Sequence, residues 1–196
     1  MLYLIGGVAR AGKSTAAESF MRTAGVSCLG VDYIKMAFSK AMPELGIHPE
    51  ADDRDTAREL WPFVEAMATT MIENDQDYTF EGAYILPEHA VMLSRAAQNL
   101  VRCCFIGFAG IETDRKVSQI KKYRGIGDDW LQEDSDAELT AFVHRAKDAS
   151  RVLRTTCAAL GLAYFDNAND FQSTIDDDVA YLGADQQSAP CERQAC

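Results

Sequence analysis

Leu2-Tyr3-Leu4-Ile5-Gly6-Gly7-Val8-Ala9-Arg10-Ala11-Gly12-Lys13-Ser14-Thr15 decides how the rest of the chain is read. Four apolar residues, Leu2 to Ile5, read as a buried strand. The glycine-rich run behind them turns directly into the helix-forming residues Thr15-Ala16-Ala17-Glu18-Ser19-Phe20-Met21. Gly7 to Ser14 matches G-x-x-x-x-G-K-[ST], the phosphate-binding loop or Walker A motif. In such a loop, backbone N–H groups and the positive end of the helix converge on a phosphate chain. Lys13 would reach the β- and γ-phosphates, and the Ser14 hydroxyl would ligand Mg²⁺. Gly7 and Gly12 supply backbone conformations and close approaches that a Cβ would block. A chance glycine turn needs no strand before it and no helix after it, and both are present. Gly7, Val8, Ala9, Arg10, Ala11, Gly12, Lys13, Ser14 and Thr15 are therefore the expected nucleotide-binding segment.

Composition narrows the setting. A chain of 196 residues is enough for one domain with a sizeable core. Residues 1–182 are expected to form it, with 183–196 as a loose polar tail. The net charge of −11 argues against a general binder of nucleic acid or of anionic membranes. No apolar run approaches the roughly 20 residues needed to span a bilayer. The first strand leads straight into the phosphate loop, so a cleaved leader would remove the site, and a cytoplasmic location is expected. Of the six cysteines, none shows C-x-x-C spacing and no paired histidines accompany them, which argues against a zinc site. Cys28, Cys103, Cys104 and Cys157 fall where small buried thiols usually lie. Cys191 and Cys196 fall in the tail, and no partner or oligomeric state is legible.

Strand signals at 2–5, 26–31, 78–80, 101–109 and 162–165 alternate with helical ones at 13–23, 33–42, 54–60, 63–74, 87–99, 113–123, 136–160 and 171–182. Pro62 marks a break between the third and fourth helical segments, and Thr113 is a candidate cap. The alternation means an α/β fold, a parallel sheet with helices on both faces. Ligands of such sheets sit at the carboxyl ends of the strands. The candidates there are Gly6 onward, Asp32, Glu81, Ala109 and Asp166.

Asp32 follows strand two and can take a proton from an acceptor hydroxyl near a γ-phosphate; it is equally a preferred helix cap. Glu81-Gly82 ends strand three, where an acid can serve Mg²⁺ or its waters, bind a substrate hydroxyl, or simply make a turn. Arg115, Lys116, Lys121, Lys122 and Arg124 crowd ten residues ahead of the hinge glycines Gly125 and Gly127. Mobile positive charge of this kind suits a lid over a transferring phosphoryl group, at about 121–135, with Arg124 as its catalytic residue. His144, Lys147, Arg151 and Arg154 share a helix face that reads better as solvated surface. Arg54 and Arg58 can hold an anionic acceptor group, although neighbouring Asp52, Asp53, Asp55 and Glu59 offer ordinary ion pairs. His48 and His89 read as surface or capping residues. Asp166-Asn167 can approach the nucleotide base or form an Asx turn.

At Gly7–Thr15, Gly30-Val31-Asp32 and Glu81-Gly82-Ala83-Tyr84-Ile85-Leu86-Pro87 the chain resembles P-loop small-molecule kinases of adenylate-kinase-like fold. The glutamate-glycine stretch is similar to that of 2-phosphoglycerate kinase-like proteins. Gly30-Val31-Asp32 is similar to the stretch of chloramphenicol phosphotransferase whose aspartate is the proposed general base. Zeta-toxin-type kinases are more distant. The resemblance implies ATP or GTP, Mg²⁺, and a three-layer α/β/α sandwich. It also implies a five-stranded sheet of order 2-3-1-4-5 and a short lid between strands four and five. The chain departs from nucleoside monophosphate kinases in lacking a clear paired-arginine signature, and it has no N-K-x-D motif for guanine.

The expectation is an NTP-dependent kinase acting on a hydroxyl of a small molecule. Lys13, Asp32 and Arg124 would be catalytic, Asp32, Arg54 and Glu81 would hold the acceptor, and Ser14 would ligand Mg²⁺. A nucleoside or nucleoside monophosphate kinase is the neighbouring alternative. A nucleotide-binding regulatory or toxin-like module without a small acceptor is the alternative of another class.

Overall fold

In a computed structural model, which describes residues 1–47, 53–98, 100–123 and 131–184, the apolar opening forms β1, Leu2–Gly7. It pairs in parallel with β3, Tyr78–Glu81, on one side and with β4, Val101–Gly107, on the other. Every residue of β1 is therefore buried, as befits a central parallel strand. Two short strands, β2 at Ser27–Gly30 and β5 at Ala163–Asp166, close the edges. The sheet is five-stranded and parallel, in the order β2-β3-β1-β4-β5, as the resemblance implied.

Seven α-helices among the described residues cover it: α1 Lys13–Ala24, α2 Val31–Ala41, α3 Asp53–Glu73, α4 Pro87–Ala96, α5 Thr113–Lys122, α6 Asp136–Leu160 and α7 Phe171–Gly183. The two-residue period of β1 divides the core between them. Tyr3 and Ile5 join Phe20 of α1, Val117 of α5, Val143 of α6 and Ile175 of α7. Leu2 and Leu4 face the other way, with Leu60 and Val64 of α3 and Leu93 of α4. The Tyr3 ring meets Phe20 edge-on at 4.7 Å, an arrangement that adds about 1 kcal/mol to the area buried. α6 begins with a capping box, in which Ser135 Oγ accepts from the Glu138 N–H and the Glu138 carboxylate accepts from the Ser135 N–H.

Several local expectations change. The break expected at Pro62 is absent, and α3 runs unbroken from Asp53 to Glu73. Pro62 sits on the exposed face, where water can satisfy the carbonyl it leaves unpaired, while Leu60, Trp61 and Val64 hold the buried face in place. Asp32 is not the cap of α2; Gly30 occupies that position and Asp32 lies in the first turn. Glu112 rather than Thr113 precedes α5. His89 is buried, not at the surface, and its ring stacks on Trp61 at 4.5 Å. Residues 1–182 remain our proposed domain. The expectations placed on Arg124, the hinge glycines Gly125 and Gly127, His48, and the cysteines Cys191 and Cys196 lie outside the described residues.

One buried acid is a liability of this packing. Asp178 of α7 is fully buried, and apart from the weakly donating Cys104 thiol its carboxylate has no hydrogen-bond partner among the described residues. Burial pushes its pKa up to about 6 from 3.8, the neighbouring Cys104 thiol drawing it part of the way back. An acid whose folded-state pKa is raised favours folding while protonated and loses that advantage as pH rises from the unfolded to the folded value. Stability should therefore fall between about pH 4 and pH 6 by on the order of 2–3 kcal/mol. Asp178→Asn should remove that part of the pH dependence. Urea midpoints of both proteins across pH 4–8 check it, and parallel curves would show that Asp178 does not titrate in this window.

Candidate phosphate and acceptor site

The residues after β1 are committed to a loop by backbone geometry. Gly7 has φ +138°, and a Cβ there would lie 2.1 Å from the Ile106 carbonyl oxygen, so only glycine lets the strand end approach β4 this closely. The Val8 N–H then donates to that same carbonyl at 3.2 Å. Arg10 and Gly12 both have positive φ, +62° and +99°. A left-handed residue among right-handed neighbours turns successive N–H groups toward one side, which is how backbone makes an anion nest. At Gly12 a Cβ would also strike the Phe171 ring at 2.7 Å, so α7 packs directly on the point where α1 starts. No side chain caps α1, and its first amides point out of the helix toward the space in front of the loop.

Lys13, the first residue of α1, is almost fully buried, and its Nζ donates to the Val8 carbonyl at 2.9 Å. Ser14 Oγ donates to Glu81 Oε1 at 3.1 Å. The Gly82 N–H donates to the Ile5 carbonyl at 3.1 Å, which fixes the end of β3 beside the end of β1. Because Gly30 pairs in register with Glu81, α2 starts at the same edge and brings Asp32 into the neighbourhood. Burial raises the Glu81 pKa; Lys13 and the Ser14 hydrogen bond draw it down, while Asp32 and Glu18 push it up. Four of the expected site residues, Lys13, Ser14, Glu81 and Asp32, thus share one electrostatic neighbourhood. More than half of the Asp32 side chain is open to solvent. Lys35 stands 4.0 Å from its carboxylate and donates to the Tyr84 hydroxyl at 2.6 Å.

Other expected residues are engaged elsewhere. Arg54 forms an ion pair with Glu88 of α4 at 2.6 Å, and Arg58 pairs with Asp55 on its own helix at 3.0 Å. Arg115 donates to the carbonyls of Ala168 and Asn169, at 3.3 and 2.8 Å, and Lys121 pairs with Asp136 at 2.5 Å. On α6, Lys147 donates to Thr113 Oγ1, Arg151 pairs with Asp148, Arg154 lies 3.9 Å from Asp166, and His144 is exposed. That stripe is a surface with local partners. Asp166 accepts from the Ala168 N–H at 3.1 Å, the Asx turn among the two readings of that position.

Two residues near the loop carry more than their letters suggested. Lys116 is not lid charge: it is buried on α5, with Nζ donating to the Arg10 carbonyl at 2.8 Å and standing 4.2 Å from the centre of the Phe108 ring. Burial, with Arg10 nearby, pushes its pKa down to about 8. Asn167, just past β5, donates to the Ala11 carbonyl, and its backbone N–H bonds the Gly107 carbonyl at 2.9 Å. The helical spacing held a hint for Lys116, which lies four residues before the inward Ile120. Asn167 reads in the sequence only as a base contact or part of an Asx turn, and neither reading points to the Ala11 carbonyl.

Comparison with known proteins places this geometry. No protein-family model matches the chain, and no curated protein matches it in sequence. Solved structures do match. A shikimate kinase from Bacteroides thetaiotaomicron superposes with a TM-score of 0.58 at 18% identity, over 95% of this chain and 98% of that one. A gluconokinase from Sinorhizobium meliloti 1021 gives 0.56 at 13% identity, over 95% and 97%. At such identities the likeness is one of fold. With its strand order and its glycine-rich loop at the head of α1, the chain has the fold of these small-molecule kinases.

Proposed function

We propose that the chain is a kinase that transfers the γ-phosphoryl group of ATP or GTP to a hydroxyl of a small molecule. The observation that carries the reading is the hydrogen bond of Ser14 Oγ to Glu81 Oε1 at 3.1 Å, beside the buried Lys13. It joins the last part of the phosphate motif to an acid on a neighbouring strand, and the Asp32 charge is felt at the same acid. The loop amides and Lys13 would bind the triphosphate and offset charge on the moving group. Asp32 would accept the hydroxyl proton, its exposure leaving room for the acceptor. Arg54, at the start of α3, stays in the proposal as an acceptor contact that would exchange Glu88 for an anionic group, and Arg124 as a lid contact.

Mg²⁺ fits the donors at this point. It takes hard oxygen ligands, keeps several waters, and relies on one or two protein groups plus substrate phosphates. Ser14 and Glu81 would hold it, directly or through a water, and the burial that raises the Glu81 pKa favours a cation beside that carboxylate. When bound, the ion supplies charge neutralisation at the β- and γ-phosphates.

The test is the purified chain with MgATP or MgGTP against a panel of hydroxylated metabolites, including shikimate and gluconate, for which the two matched kinases are named. Nucleoside diphosphate release that depends on the acceptor, with a phosphorylated product by mass, is the expected result. Transfer confined to nucleosides or their monophosphates would move the acceptor assignment there. Hydrolysis alone across the panel would favour a regulatory module, and no magnesium-dependent affinity for any triphosphate would overturn the reading. No helix among the described residues is long and apolar enough to cross a membrane.

A further inference from the structure

We infer that Lys116 and Asn167 form a two-point brace that holds the phosphate loop in its anion-binding shape, with Lys116 the positioning residue that sets triphosphate affinity. The inference rests on the phosphate-binding reading of the loop but not on the identity of any acceptor.

The strain comes first. Arg10 carries a Cβ yet sits at φ +62°, a region that costs a residue other than glycine on the order of 1 kcal/mol or more. Gly12 follows at φ +99°. A loop with two left-handed positions in three residues has close alternatives in which its amides point elsewhere. The Ala11 N–H and Lys13 Nζ, donating to the Val8 carbonyl at 3.3 and 2.9 Å, hold it from within, and contacts from outside help to select this shape. The carbonyls of Arg10 and Ala11 are both taken by side chains from other elements, Lys116 Nζ of α5 at 2.8 Å and Asn167 Nδ2 beyond β5. A peptide plane whose oxygen is pinned outward has its N–H turned the opposite way. Pinning two consecutive carbonyls therefore fixes the amide of Ala11, which donates to the Val8 carbonyl at 3.3 Å and closes the loop, and the amide of Gly12, within the segment expected to hold phosphate.

A buried ammonium is also an expensive way to fill space. Lys116 is only 4% exposed, and its ammonium meets the loop carbonyl and the face of Phe108. A charge-assisted bond to a strained carbonyl gives that burial a purpose that a methionine of similar length would lack. Asn167 is anchored in turn by its own N–H on the Gly107 carbonyl, so the second point of the brace is fixed to the end of β4.

The test uses the full chain. Calorimetric titration with MgATP and MgGTP should show wild-type binding, and Lys116→Met should weaken it at least about tenfold, the value of one charge-assisted hydrogen bond. Lys116→Arg, which restores a cationic donor, should recover most of the loss. Hydrogen exchange on the unliganded proteins should show faster exchange at the amides of Ala11 and Gly12 in Lys116→Met, with the β1 amides unchanged. If Lys116→Met does not fold, Lys116→Gln takes its place in both arms. Triphosphate affinity within twofold of wild type in the methionine or glutamine variant would overturn the inference. A wild type that binds no triphosphate would instead overturn the nucleotide reading. The exchange arm would then decide the brace alone, and unchanged loop amides would overturn it.

Discussion

Lys13→Ala is expected to lower kcat/KM for phosphoryl transfer at least about a thousandfold and to remove most triphosphate affinity. Lys13 is the cation that the G-x-x-x-x-G-K-[ST] pattern itself specifies, Arg10 filling a variable position, and its Nζ is held at the Val8 carbonyl rather than left to sample solvent. A preorganised charge in a buried setting acts on a developing phosphoryl charge far more strongly than the same charge in water. The substitution also takes away the larger of the two influences that draw the Glu81 pKa down, leaving the Ser14 hydrogen bond alone against burial and two like charges. Lys13→Met, which keeps the length of the side chain but not the charge, separates the charge from the packing. Steady-state kinetics and calorimetry on both variants check the prediction; turnover within tenfold of wild type would remove Lys13 from the reaction.

Asp32→Asn is expected to cut transfer at least about a hundredfold while triphosphate affinity stays within about threefold. The two effects divide because of where the residue stands. Asp32 lies in the first turn of α2, beyond β2, whereas the loop proposed to hold phosphate is built on β1 and α1. Asparagine keeps the shape and one acceptor oxygen but cannot take the proton an attacking hydroxyl must lose. KM for the acceptor should move little and kcat should carry the loss. A variant with normal kcat would mean that Asp32 only orients the acceptor or does not touch it. Equal losses in kcat and in triphosphate binding would place its effect on the electrostatics around Glu81 instead.

The legibility of the fold follows from how local its signals are. A short continuous apolar run closed by glycines suits a strand covered on both faces, and β1 is fully buried as that logic requires. Helix starts were harder. The letters at Asp32 and Thr113 suit a cap, but chain direction at the ends of β2 and β4 put Gly30 and Glu112 there. Pro62 shows the same limit from the other side. A local rule against proline in helices yields to tertiary burial of Leu60, Trp61 and Val64, with Pro62 and Arg58, whose carbonyl the ring leaves unpaired, on the exposed face.

The site divides in a similar way. Gly7, Gly12, Lys13 and Ser14 could be read together as one motif because its spacing, and the glycines its backbone angles need, are written in consecutive residues. Glu81 and Asp32 could be placed at strand ends, but the hydrogen bond from Ser14 to Glu81 and the pairing of Gly30 with Glu81 exist only once β2, β3 and β1 are adjacent. Lys116 and Asn167 lie about a hundred residues or more beyond the carbonyls they hold. By itself the chain's order of residues determined a parallel α/β sheet with a phosphate loop on its central strand, since period, glycine and helix signals are short-range. Which side chains surround that loop was decided by the folded chain alone, because those contacts depend on sheet order, and sheet order is a property of no single segment.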